Sequence, residues 1–187
     1  MPILNTLVAR AKSNPKAIVL PEGQDPRVVV AANKAVEAGV VTRAVVLGTE
    51  EEITAACAKA GVSERRFETL DYLASDLFPE FVNEFYEMRK AKGMTPEKAA
   101  TTMRSRIYFG AMMCRRGLVA GLVAGSIAST ADMLRAAFHC IGTAPGMKIA
   151  SSCFVMDLKT PTASGDDVLL FADCGVNPNP DANQLVD

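Results

Sequence analysis

The chain has 187 residues, 49% of them hydrophobic and 22% charged, a globular composition long enough to bury a sizeable core and unlike that of disordered or fibrous chains. Twenty Lys plus Arg against 21 Asp plus Glu leave a formal charge of −1, so no net basic field is available to draw nucleic acid or an anionic membrane, and neither is expected as a partner. The longest apolar run, Leu118–Ala128, is too short for a membrane helix, which needs ~20 residues; Met1–Lys12 is amphipathic rather than built like a secretion signal; and five cysteines without a C-x-x-C pair read as the reduced thiols of a cytoplasmic protein.

Ala17–Leu20 is a short apolar strand closed by Pro21-Glu22-Gly23, and Arg27–Ala38 carries apolar residues at helical spacing up to Gly39. Val40–Leu47 is a second, β-branched strand, and Glu50-Glu51-Glu52 occupies the first turn of another helix, where carboxylates favour the dipole. The βαβα alternation predicts an α/β fold with a mostly parallel sheet between helical layers. Phe78, Phe81, Val82, Phe85 and Met88 form one helical stripe ended by Lys92-Gly93. Thr95-Pro96-Glu97 opens a further helix, and Ile107–Arg116 continues as another.

Leu118–Val123, apolar on both faces, reads as a strand buried between layers and broken by Gly125-Ser126. Ser129 and Asp132 then form a capping pair for a helix whose buried stripe is expected at Leu134, Ala137, Phe138 and Ile141. Beyond Gly142, Met147–Met156 and Val168–Phe171 read as two strands joined by a loop or hairpin. At the end, Asn179 is expected to cap a helix with Pro180 at its first position. A helix of roughly seven residues has little independent stability, so the segment is expected to continue beyond Asp187. The organisation expected is a first α/β domain over 1–143 and the start of a second, truncated one over 144–187.

One histidine, His139, rules out a multi-histidine metal site, and no metal-binding pattern is present. Neither G-x-G-x-x-G nor a Walker A loop occurs. The available anion cradle is Gly121–Ser126, a strand running through Gly125 and Ser126 into a helix that starts at Ser129-Thr130. There, free N–H groups, the positive helix end and hydroxyls would face an anion; an ordinary capped turn is the plainer alternative. Arg89, at the edge of its apolar stripe, and Arg135, in the helix after the turn, are candidate anion ligands, against the plainer readings of a snorkelling arginine and a surface ion pair. Arg104, Arg106, Arg115 and Arg116 read as solvated faces. His139 and Cys140, adjacent on one helix, do not face each other and make a poor thiolate–imidazole pair.

Four ordered motifs resemble the phosphate acetyl/butyryl transferases over nearly the whole chain. They are Val19-Leu20-Pro21-Glu22-Gly23-Gln24-Asp25-Pro26-Arg27, Tyr108-Phe109-Gly110-Ala111-Met112-Met113, Leu122-Val123-Ala124-Gly125-Ser126 with Thr130-Ala131-Asp132 and Leu134-Arg135, and Phe171-Ala172-Asp173-Cys174-Gly175-Val176-Asn177-Pro178-Asn179-Pro180. The resemblance implies a two-domain three-layer αβα enzyme similar to the isocitrate and isopropylmalate dehydrogenases, homodimeric, that moves an acyl group reversibly between coenzyme A and phosphate. It implies coenzyme A, acetyl-CoA, acetyl phosphate and phosphate as small-molecule substrates and no permanently bound cofactor or metal. Arg89 and Arg135 match the family's cleft arginines, and Gly125, Ser126, Ser129 and Thr130 its glycine turn. The family's serine two residues earlier is Ala124 here, and its frequent His and Thr after the turn are Ala128 and Ser129. The family's catalytic Ser-Arg pair and Asp are expected beyond Asp187, leaving this chain without catalytic residues and inactive alone. Alternatives are a butyryl-transferring member, a metal- and NAD-dependent decarboxylating dehydrogenase of similar fold, and a non-catalytic fragment that binds coenzyme A.

Overall fold

The computed structural model describes residues 2–147, 149–177 and 179–186, so Met1, Lys148, Pro178 and Asp187, on which parts of the expected strand, motif and helix fall, lie outside the described residues. The chain divides into two compact units, Asn14–Gly142 and a second made of Met1–Ser13 with Thr143–Asp187. This differs from the expected 1–143 and 144–187 division at the N-terminus. Helix α1 (Pro2–Ser13) packs against strand β5 (Cys153–Asp157), so it clusters with the later segment.

The larger unit runs β1 (Lys16–Leu20), α2 (Pro26–Glu37), β2 (Val41–Leu47), α3 (Glu50–Ala60), β3 (Glu68–Leu70), α4 (Leu77–Arg89), a 3-10 turn (Lys90–Lys92), α5 (Pro96–Met103), α6 (Arg106–Arg115), β4 (Gly121–Leu122) and α7 (Thr130–Cys140). Its strands lie in the order β3-β2-β1-β4, and every pairing is parallel. Side chains alternate across the strands, as the period of two demands. Val19, Val45 and Leu47 enter a core with Phe81, Phe85, Met103 and Phe109, whereas Leu20, Ala44 and Val46 enter another with Val29, Ile53 and Ala56. Helices therefore cover both faces, giving the three-layer α/β arrangement. Phe109 anchors the first core, its ring centroid 4.8 Å from that of Phe81 and 5.4 Å from that of Tyr72.

Local chemistry sets the boundaries. Asp25 caps α2 by accepting the Arg27 N–H at 2.8 Å, with Pro26 just inside the helix. Thr49 and Glu52 form a reciprocal capping box on α3. Gly93, at φ +83°, closes the 3-10 turn after α4 in a left-handed conformation that a side chain would strain.

Four expectations are corrected. The strand expected over Leu118–Val123 pairs only at Gly121–Leu122, because β4 is an edge of the sheet among the described residues, and Val123 is exposed. On α7 the buried residues are Ala136 and Cys140, while Phe138 and Ile141 are exposed. The helix turns Ala136 and Cys140 into the core shared with Phe109, Ala111 and Met112 of α6, the Cys140 Sγ lying 4.0 Å from the Tyr108 carbonyl. Strand β5 starts at Cys153 rather than Met147, since Ala150 and Ser152 are tied to Asp173 and Asn177 instead of extending the ladder with β6 (Val168–Ala172). Finally, α8 (Ala182–Val186) is capped by Asp181, not Asn179. The Asp181 carboxylate accepts the Gln184 N–H at 2.9 Å and the Gln184 side chain accepts the Asp181 N–H at 2.8 Å.

In the smaller unit, β5 and β6 form an antiparallel hairpin. Asp173 accepts from the Ser152 backbone at 3.1 Å, the Ser152 hydroxyl at 2.5 Å and the Asn177 amide at 2.6 Å, which keeps its carboxyl well below the usual carboxylate range. Phe154, Val155, Met156, Leu170 and Phe171 of the hairpin are exposed. Among the described residues no helix is long and apolar enough to cross a membrane.

Candidate functional site

Strands β1 and β4 are parallel neighbours, so the loops at their carboxyl ends lie side by side, the place where open α/β sheets bind ligands. The loop after β1 reaches into the turn after β4. Glu22, 3% exposed, accepts the N–H groups of Gly125 at 2.7 Å and Ser126 at 2.9 Å on one oxygen, and those of Ile127 at 2.8 Å and Ala128 at 2.6 Å on the other. The Ser126 hydroxyl donates to the same carboxylate at 3.0 Å. Burial alone would raise the Glu22 carboxyl above its ordinary value, but the backbone donors together outweigh it and hold the group below that value, so it is ionised at neutral pH.

The cradle read from the sequence is thus real as an anion site but is filled from within. The Gly125 and Ser126 N–H groups expected to be free for a ligand are spent on Glu22, and Ser126 turns its hydroxyl inward. The same loop fixes the opposite side of the turn: Arg27 donates from Nη2 to the Ser126 carbonyl at 2.8 Å while pairing with Asp25 at 2.5 Å. Ser129 caps α7 by accepting the Asp132 N–H at 3.2 Å, and its hydroxyl donates to the Asp132 carboxylate at 2.7 Å. Thr130 opens the helix and is exposed.

A second group of residues gathers around Tyr108 on α6 and His139 on α7. The Tyr108 hydroxyl and His139 Nδ1 are 2.9 Å apart, and Phe85 packs edge-on against the tyrosine ring at 5.6 Å. His139 is driven below its ordinary value by burial first and then by the positive charges of Arg89, Arg135 and Lys92. Burial likewise raises Tyr108, with Arg135 and Arg89 opposing the rise. Arg89 Nε is buried without a hydrogen-bond partner. Arg135 pairs with Asp132 at 3.0 Å in an exposed i,i+3 contact. The structure therefore gives Arg135 the plain surface ion pair.

Of the arginines read as solvated faces, Arg115 and Arg116 make partly exposed ion pairs that share Glu84, whereas Arg106, 20% exposed, corrects that reading, because it is drawn in by Glu52 and Gln24 and lies over the Tyr72 ring. Arg106 binds Glu52 at 2.6 Å and Gln24 at 2.8 Å, Arg115 binds Glu84 and the Cys140 carbonyl, and Arg116 binds Glu80. Cys140 is buried and its thiol is pushed up to about 12, chiefly by burial, so it offers no thiolate to His139. Among the described residues no group of three or more His, Cys, Asp or Glu is placed to hold a metal. Sequence reasoning singled out neither Glu22, Tyr108 nor Lys92 as site residues. Glu22 carried one readable signal, a carboxylate between a strand end and Gly23, but its partner loop lies about a hundred positions away.

The layered α/β unit sets the loops after two adjacent parallel strands side by side, the edge at which open α/β sheets bind ligands. The chain belongs to the phosphate acetyl/butaryl transferase family, whose model matches residues 2–187. It is 45% identical over 185 residues to the phosphate acetyltransferase of Thermoanaerobacterium thermosaccharolyticum, covering 99% of this chain and 56% of that protein. With that of Acetivibrio thermocellus it shares 40% identity over 185 residues, covering 99% and 55%. Among solved structures it resembles the EutD phosphotransacetylase from Staphylococcus aureus, with a TM-score of 0.84 and 35% identity over 98% of this chain and 53% of that one. The chain spans about half the length of the curated relatives it matches.

Proposed function

We propose that the full-length protein containing this chain transfers an acetyl group reversibly between coenzyme A and phosphate. The observation that carries this reading is the family match over residues 2–187, and beside it stands a buried Arg89 Nε donor left unpartnered. Coenzyme A and acetyl phosphate are polyanionic or anionic, and guanidinium groups bind phosphate through charge-assisted, often bidentate hydrogen bonds. Kinship with proteins named phosphate acetyltransferase favours acetyl over butyryl as the acyl group.

In this proposal Arg89 and Arg135 hold anionic ends of the ligands, and Ser129 and Thr130 flank the first turn of α7, whose N–H groups include the unpaired donors every helix start carries. Gly125 and Ser126 shape the turn rather than touch the ligand. The reaction needs a thiolate close to an acyl phosphate carbonyl, a carboxylate to take the thiol proton, and cations around the phosphate and the developing oxyanion. This chain supplies positioning, and the proton-transfer groups come from the remainder of the protein. No permanently bound cofactor or metal is called for, coenzyme A acts as a substrate, and a cytoplasmic homodimer is the assembly we assign. The test is to mix the purified full-length protein with acetyl-CoA and phosphate and follow free thiol and acetyl phosphate, without added metal or NAD. Stoichiometric formation of both is expected; NAD-dependent oxidation of a hydroxy acid with no acyl transfer would overturn the proposal.

A further inference from the structure

We propose that Glu22 is the positioning residue of the substrate-binding turn, an internal carboxylate that occupies the anion nest of Gly125–Ala128 and thereby fixes where α7 begins and how the phosphate end of the site is shaped. The inference rests on the acyltransferase reading above and assigns a role to a loop which that reading does not use.

A carboxylate is acceptor-only, and the nest offers four backbone N–H groups and one hydroxyl, so every lone-pair site of Glu22 is met by a donor. Burying a carboxylate is costly unless its charge is met by hydrogen bonds; here they come from peptide groups of a single turn, so the carboxylate and the turn's conformation depend on each other. A neutral cap would serve a helix start equally well and at less desolvation cost. The ionised group does something more: it saturates the backbone anion site at this sheet edge, so a substrate phosphate is directed to the neighbouring Thr130 hydroxyl and to the arginines.

The loop that carries Glu22 is itself anchored to the sheet. Gly23 donates its N–H to the Leu47 carbonyl at the end of β2 at 3.3 Å, and a Cβ there would lie 2.6 Å from that oxygen and 2.4 Å from Ile53 Cδ1. Gln24 accepts from Arg106, which is held by Glu52. Asp25 orients Arg27 onto the Ser126 carbonyl. Each of Glu22, Gly23, Gln24, Asp25 and Arg27 thus ties the turn after β4 or the loop that grips it to a fixed element, and the position of the turn is set by the ends of β1 and β2.

The test uses the full-length enzyme. Glu22→Gln keeps size but replaces one acceptor oxygen with an NH2 group, setting donor against donor at two of the N–H groups. It is expected to raise KM for phosphate and acetyl phosphate about fivefold or more while changing kcat by less than about twofold, the pattern of lost binding geometry. Hydrogen exchange at Gly125–Ala128 should accelerate about tenfold or more in the same variant. A purely structural role would lower melting temperature and active fraction and leave KM at the wild-type value. Should Glu22→Gln fail to fold, Arg27→Gln, at a side chain 73% exposed, removes the guanidinium that joins Asp25 to the Ser126 carbonyl while leaving Glu22 and its donors in place, and is expected to raise the same KM about two- to threefold. Wild-type KM in every folded variant of an active enzyme overturns this assignment alone. A wild-type enzyme with no acetyl transfer overturns the proposed function, and this assignment with it.

Discussion

Replacing Arg89 with Met separates ligand binding from folding, because the structure gives the two effects opposite expectations. Arg89 Nε is buried and unpartnered in the ligand-free chain. A buried unsatisfied donor costs about 1–3 kcal/mol, and Met keeps the aliphatic packing of the stem while removing that donor. Ligand-free stability should therefore stay level or rise. A charge-assisted hydrogen bond to a ligand phosphate contributes about 1.5–3 kcal/mol, so coenzyme A affinity should fall by a factor of about 10 to 150. Arg89→Lys should recover only part of the loss, since an ammonium cannot reproduce a bidentate fork. Thermal unfolding without ligand and calorimetric titration with coenzyme A, both on the full-length enzyme, measure the two terms. Unchanged affinity in Arg89→Met, or a ligand-free melting temperature several degrees lower, would refute the reasoning and make Arg89 a structural residue.

Acid should weaken the larger unit in a defined window. The folded-state values of Glu22 and Asp25 lie below their ordinary 4.5 and 3.8, that of Asp25 at about 2, so their contribution is present above the ordinary values and is lost as pH falls toward the folded ones. Melting temperature followed downward from neutral pH should decline from about pH 4.5, and a flat profile through that region would contradict the clamp. Gly23→Ala should destabilise by about 1–3 kcal/mol or more in denaturant titrations, because its Cβ meets a backbone oxygen that cannot yield; a loss under about 0.5 kcal/mol would contradict the close approach. The 187-residue chain assayed alone beside the full-length enzyme should show no comparable turnover. It should also associate in sedimentation experiments, since the hairpin leaves Phe154 59% and Leu170 67% exposed; comparable turnover would mean that the chemistry resides within this chain.

Most helices of the larger unit, with β1 and β2, were legible because their signals are local, whereas the three-residue β3 went unread. Glu50–Glu52 in the first turn of α3 and Thr95-Pro96 at the start of α5 announce helices within a few residues, and the stripe at Phe81 and Phe85 is fully buried as its spacing requires, while the caps at Asp25 and Thr49 went unread. Where the expectation failed, the deciding contact was remote. The face of α7 is chosen by packing against α6, and the start of β5 by Asp173 and Asn177, more than twenty residues further along. The candidate site divides the same way. Gly125-Ser126 announced an anion nest, but nothing near it in the chain reveals that Glu22 fills it. Arg89 and Arg135 were found by their places on helices and by resemblance, whereas the Tyr108–His139 contact depends on packing between α6 and α7.

His139 is the sole histidine of the chain, and its imidazole reports directly on the claim that the cationic cluster receives the substrate's anionic groups. Its resonance can be followed by pH titration of the full-length enzyme, assigned by comparison with His139→Gln, with and without coenzyme A. In the free enzyme the imidazole should titrate below its ordinary 6.5, held down by burial and by Arg89, Arg135 and Lys92. An anion bound among those cations offsets their repulsion, so the titration should move upward on ligand binding, and affinity should strengthen as pH falls through it. An imidazole whose titration is unaltered by saturating coenzyme A would contradict the account, because the anion would then be bound elsewhere.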